Sequence, residues 1–215
     1  ILLKNIIQFK KIYLVGGAVR DTILELDNFD IDFVVQANAR EAAKLIANYY
    51  QGSCFMLDEM RKTSRAIITV EHKKYNIDFA LMRGDTIDDD LEARDFTINA
   101  MAVDISDPEN LIDPLNAFAD LKHRLLKPCR KDSFINDPVR TLRAIRFIQV
   151  YGLVYENQVS ELIREVSEQI FSISVERVRD EVFNIVENTN IKSSLQLMQE
   201  FGLFASIFPE LLDLE

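Results

Sequence analysis

The periodicity of this sequence changes partway along, and the change limits the folds open to it. Up to about Leu121, short apolar runs alternate with turn residues, whereas beyond about Pro138 the pattern is helical. Ile12–Val15 is an apolar run that ends at Gly16-Gly17 and is followed by the helical composition of Ala18–Leu26: strand, glycine turn, helix. Phe29–Val35 is a second apolar run with acids at alternate positions. Arg40–Tyr50 has apolar residues at Ala42, Leu45, Ile46 and Tyr49, the spacing of an amphipathic helix. Ala66–Val70 and Tyr75–Leu81 flank the polar Glu71–Lys74 as a hairpin, and Ala100–Ile105 and Asn110–Ile112 flank the turn Ser106–Glu109 as another. Helices are expected over Val139–Val150, Gln158–Val166, Val175–Val186 and Ser193–Phe201, with no strand among them. A boundary falls near Leu121–Lys127.

At 215 residues, 48% hydrophobic and 28% charged, the chain is an ordinary globular one of one large or two small domains. No window approaches the roughly 18 apolar residues of a membrane span. Residues Ile1–Lys11 lack the layout of a signal peptide. The chain opens on Ile1, not Met, and Phe201–Glu215 ends on apolar residues, so more protein is expected at both ends. Two cysteines, Cys54 and Cys129, make neither a disulfide framework nor a zinc pattern and suit a cytoplasmic protein. Net charge is −10, a poor balance for coating nucleic acid. Lys122–Arg146 runs against it with eight basic and two acidic residues, a net +6. One basic stretch in an acidic chain points to a local phosphate site.

Four features carry chemistry, each with a plainer alternative. Gly16-Gly17 lets backbone N–H groups approach a phosphate at a helix N-terminus, with Arg20 in the first turns; alternatively it is a tight turn needing positive φ. Asp30 and Asp32 project from one face of a strand, about 6.5–7 Å apart at Cα. Two carboxylates in one space repel unless a cation lies between them, and oxygen ligands suit Mg²⁺; alternatively they line a solvated edge. Asp78, in a third apolar strand, completes a carboxylate triad or faces solvent. Arg140, Arg143 and Arg146 fall within an arc of about 120° on a helix whose Leu142, Ile145 and Ile148 occupy another, so one side packs while the other presents cations or is simply solvated.

Spacing joins these features. Gly-Gly-Ala-Val-Arg-Asp at 16–21, followed nine residues later by Asp30 and Asp32, resembles the head motif of class II tRNA nucleotidyltransferases and bacterial poly(A) polymerases, members of the polymerase β-like nucleotidyltransferase superfamily. Arg94-Asp95-Phe96-Thr97-Ile98-Asn99-Ala100-Met101-Ala102 is similar to the second motif, Asp113-Pro114 through Asp120-Leu121 to the third, Asp137 through Phe147 to the fourth, and Ser174–Glu181 is placed like the fifth. The resemblance implies an α+β fold: a polymerase β-like head with a small mixed sheet (1–122, catalytic), an all-α neck that recognises nucleotide and base (123–190), and the start of a helical body (191–215). It implies Mg²⁺ on Asp30 and Asp32, with Asp78 a third catalytic carboxylate. Gly16, Gly17 and Arg20 would meet phosphates. Arg94, Asp95 and Asn99 would hold the ribose, although Asp95 is equally placed to cap a helix over Phe96–Met101. Asn136, Asp137 and Arg140 would read the base, and Arg143 and Arg146 would bind triphosphate or pair with head acids. The implied reaction is template-independent addition of nucleotides from ATP or CTP to the 3′ end of tRNA.

Four departures bear on nucleotide choice. Asn136 stands where the family usually has Glu, replacing an acceptor-only group by an amide. Leu115–Ala119 lacks the usual glycine, which implies a stiffer hinge. Ala93 replaces the first of two arginines, and Leu81–Leu91 is short for a flexible loop. Together these favour partial addition, A alone slightly ahead of CC alone, with full CCA synthesis, poly(A) addition to general RNA and a catalytically silent RNA-binding module as the alternatives. Nothing in the sequence points to a protein partner.

Overall fold

The computed structural model describes residues 11–59 and 62–211, arranged as two compact units: Ile1–Arg94 with Ile98–Phe118, and Asp95–Thr97 with Ala119–Glu215. The first ten residues and the last four lie outside the described residues, and with them Ile1 and the end of Phe201–Glu215, on which the expectation of further protein rests. No helix among the described residues is long and apolar enough to cross a membrane.

The first unit runs β1 (Ile12–Val15), α1 (Gly17–Ile23), β2 (Asp30–Val35), α2 (Ala39–Tyr49), β3 (Ser53–Asp58), β4 (Thr63–Val70), β5 (Lys73–Leu81), α3 (Ile87–Glu92), a 3-10 turn (Thr97–Asn99), β6 (Ala102–Asp104) and β7 (Leu111–Ile112). The strands form one sheet in the order β3-β4-β5-β2-β1-β6-β7, antiparallel except for β2 beside β5. A parallel pair needs a long crossover, and here α2, β3 and β4 supply it. The apolar stripe of α2 (Ala39, Ala42, Ala43, Ile46, Ala47) packs on Ile12, Val35, Ala66, Ile68, Ile77 and Phe79. Ile31 and Phe33 join that layer, so the pleat sends Asp30 and Asp32 to the opposite face. An apolar hollow of about 300 Å³, lined by residues including Phe33, Tyr50 and Tyr75, also lies on the α2 face, away from the carboxylates.

The helix α4 (Ala117–Lys122) starts in the first unit and ends in the second, which continues with β8 (Leu125–Leu126), α5 (Ser133–Asn136), α6 (Arg140–Tyr151), β9 (Val154–Tyr155), α7 (Asn157–Val166), α8 (Val175–Asn188), α9 (Ile191–Glu200) and α10 (Leu203–Ile207). Its core includes fully buried Phe96, Phe134, Leu142, Ile145, Ile163 and Phe201. Phe96 meets Phe134 and Phe147 at ring-centroid distances of 6.0 and 5.7 Å.

Most expected elements form within a residue or two of their expected bounds. Two expectations are corrected. Strands do not cease after Pro138: β9 pairs in parallel with β8, because Gly152 (φ 60) turns the chain after α6 and brings the Val154 N–H to the Arg124 carbonyl at 2.7 Å. No helix spans Phe96–Met101. Ile98, Ala100 and Met101 are fully buried and the segment makes only the Thr97–Asn99 turn before entering β6. Besides β8 and β9, the elements β3, α3, α4, α5 and α10 went unanticipated.

Candidate active site

In the first unit, β1 delivers the chain into Gly16, whose φ is 70° and whose N–H donates to the Met101 carbonyl at 3.3 Å. The turn thus requires glycine's backbone freedom. It also requires an absent side chain: a Cβ there would lie 2.8 Å from Arg94 Nη1 and 3.6 Å from Asp32 Oδ2. Arg94 and Asp32 therefore converge on one edge of the Gly16 turn.

Register adds the remaining acids. Asp32 lies beside Asp78 on the parallel β2/β5 pair, and Asp78 is opposite Arg65 on β4. Arg65 grips both Asp78 oxygens, through Nε at 2.7 Å and Nη2 at 2.8 Å. That bond raises the Arg65 pKa. Asp30, exposed at the start of β2, accepts from Asn76 Nδ2 at 2.7 Å. Burial pushes the Asp32 carboxyl up to about 6, Asp78 adds to the rise, and Arg94 opposes it. Burial and a neighbouring acid both disfavour the charged form of a carboxyl group.

The donor set fits Mg²⁺. Among the described residues no three of His, Cys, Asp and Glu converge as a metal cage. Asp30 and Asp32 on one strand face are instead a pair, and Mg²⁺ is commonly held by one or two carboxylates with water and phosphate oxygens completing its shell. Asp78 lies beside Asp32 in register, but both its oxygens are committed to Arg65.

Arg20 and Asn99 lie together within the unit. Arg20 is 5% exposed, its Nε donates to Asp21 Oδ1 at 2.7 Å, and its Nη1 donates to Asn99 Oδ1. Gly17 sits against that guanidinium, its Cβ position 3.3 Å from Arg20 Nη2. In the third motif Asp113 accepts from the N–H groups of Ala117 and Phe118 at 2.6 and 2.9 Å. Asn116 takes φ 58, so asparagine, the residue best suited after glycine, supplies the left-handed position.

In the second unit, Asp95 joins α6 to the second motif. Its Oδ1 accepts from the Phe96 N–H at 2.8 Å and its Oδ2 from Arg143 Nε and Nη2 at 2.8 and 2.7 Å. Glu181 on α8 accepts from Arg143 at 3.1 Å and from Arg146 at 2.9 Å. Burial alone would lower the Arg143 pKa, but Asp95 and Glu181 outweigh it and raise it. Both guanidinium groups also stack on Phe147, 5.3 and 4.6 Å from its centroid. Arg177 bridges both Asp137 oxygens at 3.0 and 2.8 Å, and Arg140 Nη1 donates to Ser133 Oγ at 2.6 Å. Asn136 is exposed, its side chain turned onto Asp132. The expected cations are thus already organised by carboxylates. Arg65, Asp90, Arg177 and Glu181 were not singled out from sequence; Arg177 and Glu181, both within Ser174–Glu181, at least lay in the fifth motif.

Comparison with known proteins agrees with this geometry. The family model described as "Poly A polymerase head domain" matches residues 12–127, and that described as "Probable RNA and SrmB- binding site of polymerase A" matches 152–214. Similar curated proteins include the CC-adding tRNA nucleotidyltransferase of Geobacter sulfurreducens, 35% identical over 91% of this chain and 45% of its own length. The A-adding tRNA nucleotidyltransferase of Deinococcus radiodurans is 32% identical over 92% of this chain and 45% of its own. Among solved structures, the Thermotoga maritima CCA-adding enzyme complexed with tRNA(CCA) aligns with a TM-score of 0.81 at 35% identity, over 93% of this chain and 48% of that one. A CCA-adding enzyme with ATP aligns at 0.82 and 34% identity, over 93% and 49%. The chain spans about half the length of the relatives it matches. A mixed sheet bearing the aspartate pair, the glycine turn against Arg94 and the ordered motifs together place this chain in the tRNA nucleotidyltransferase and poly(A) polymerase family of polymerase β-like nucleotidyltransferases.

Proposed function

We propose that this chain is the catalytic part of a template-independent enzyme that transfers nucleotides from ATP or CTP to the 3′ end of tRNA and releases pyrophosphate, in the cytoplasm. The observation that carries this reading is Asp32, its ionisation opposed by its surroundings, beside Asp30 on one strand face and sharing the edge of the Gly16 turn with Arg94. Asp30 and Asp32 would hold Mg²⁺, which when bound neutralises phosphate charge and favours ionisation of the attacking hydroxyl.

The chain's own residues do the rest. Gly16 keeps its turn open so that phosphate oxygens approach the backbone. Arg94 supplies a fixed cation at that turn, and Arg20 holds Asn99 for the ribose. Asp137 and Arg140, steadied by Arg177 and Ser133, would read the base edge through one acceptor and several donors. Arg143 and Arg146 would meet the triphosphate while Asp95 and Glu181 hold their orientation. The 3′-hydroxyl of tRNA attacks the α-phosphate, its proton leaves, and the bond to pyrophosphate breaks.

The test offers radiolabelled ATP and CTP, singly and together, to tRNA transcripts lacking CCA, ending in C, or ending in CC. A-only addition extends only the CC-ended transcript with ATP, and CC addition extends the first two with CTP. Extension of all three to CCA refutes specialisation. Long A tails on unrelated RNA favour poly(A) synthesis, and no incorporation anywhere removes the proposal.

A further inference from the structure

We infer that Asp90 is a positioning residue, its buried carboxylate holding the Arg94 guanidinium at the Gly16 turn beside Asp32. The inference rests on the reading of Arg94 as a nucleotide-binding cation.

Three acids follow one another in α3. Asp88 is exposed, and Asp89 closes a capping box with Thr86. Asp90 differs from both, being 2% exposed. A buried carboxylate is costly unless its oxygens are occupied, and both are. Oδ2 accepts from Arg94 Nε at 3.1 Å and Nη2 at 2.9 Å, and Oδ1 accepts the Arg83 N–H at 3.0 Å. The grip on Nε and Nη2 fixes the guanidinium plane and turns its third nitrogen, Nη1, toward Gly16, where it lies 2.8 Å from the Cβ position. Arg83 Nη1 donates to the Ala93 carbonyl at 2.9 Å, so the chain after β5 and the end of α3 are tied to each other around Asp90. The residue before Arg94 is Ala93, which adds no charge.

A guanidinium held in this way loses little freedom when a phosphate arrives. Without the grip, Arg94 would have to be ordered by the nucleotide itself. The effect belongs in the use of nucleotide rather than of tRNA.

Asp90→Asn keeps an amide oxygen for the Arg83 N–H and removes the charge that holds Arg94. In the full-length protein carrying this chain, Asp90→Asn is expected to lower kcat/KM for the added nucleotide by about tenfold or more, with the tRNA KM unchanged. In an Arg94→Ala background the same change should cost less than about twofold, because the residue through which it acts is gone. Losses of equal size in the two backgrounds, or a tRNA KM that moves with the nucleotide KM, would overturn the inference. Protection of the Arg94 Nε–H against exchange, followed by NMR, needs no turnover: protection should be lost in Asp90→Asn, and retained protection also overturns the inference. A wild-type protein that incorporates no nucleotide would instead remove the functional reading, leaving the exchange measurement to decide on Asp90.

Discussion

Burial and the neighbouring Asp78 push the Asp32 carboxyl up to about 6 from an ordinary 3.8, against the pull of Arg94. A folded-state pKa above the unfolded one means the native protein binds this proton more tightly. The associated stability is present below about pH 3.8 and is lost as pH rises through 6. At pH 7.5 the metal-free protein therefore carries an ionised Asp32 at a cost on the order of 2–3 kcal/mol. Asp32→Asn should raise stability to denaturant by that order at pH 7.5 in EDTA, with the gain shrinking toward pH 4.5, while nucleotide incorporation is abolished. A variant equally destabilised at both pH values would show that packing, not charge, dominates. Gly16→Ala tests the same edge from the backbone side. A side chain at φ 70 costs about 1–2 kcal/mol, and its Cβ would displace Arg94 Nη1. Kinetics should show a fall of about tenfold or more in nucleotide kcat/KM alongside a lowered Tm.

Short elements show which local signals are legible. Strand β1, the glycine turn and α1 could be read because Gly16-Gly17 separates two distinct periodicities. Strand β3 could not, since Phe55, Met56 and Leu57 are all exposed and no alternation betrays it. Six residues of α3 are too few for a helical period, although Thr86 and Asp89, three apart, carried a capping signal. The Arg65–Asp78 bond was invisible for a different reason: it depends on the register of β4 against β5, which tightens the expected Glu71–Lys74 loop to the two residues between Val70 and Lys73. Those residues, Glu71 and His72, have φ of 49 and 66, the conformation of a two-residue hairpin turn that favours Asn-Gly. Replacing Glu71-His72 by Asn-Gly should raise stability by about 1 kcal/mol with nucleotide incorporation unchanged, since six residues of extended strand, roughly 20 Å, separate His72 from Asp78. Denaturant midpoints of the two proteins check this, and a lower midpoint would show that the native side chains contribute more than the strain they impose.

The path of the chain through the whole molecule was the least legible feature. Ordered motifs announced a mixed head and a helical region, and both form, but no periodicity could show that Asp95–Thr97 belongs with the second unit while the residues on either side belong with the first. The reason lies in side chains whose partners are remote in sequence. Asp95 pairs with Arg143, Thr97 Oγ1 donates to Asp120 at 2.7 Å, and Phe96 is fully buried among Phe134 and Phe147. Three residues of one motif are thereby fixed by the fold of the other unit, so a cut near residue 118 severs more than a linker. Opposite responses to one substitution follow. In the whole chain, Phe96→Ala removes a packed ring and should cost about 3–5 kcal/mol. In a fragment ending at Phe118, Phe96 has lost its aromatic partners and becomes exposed apolar surface. There Phe96→Ala should raise the soluble yield and reduce light scattering instead. Parallel measurement of denaturant midpoints for the whole chain and of scattering for the fragment decides it; a fragment equally soluble with Phe96 or alanine would show that the ring finds other cover within the first unit.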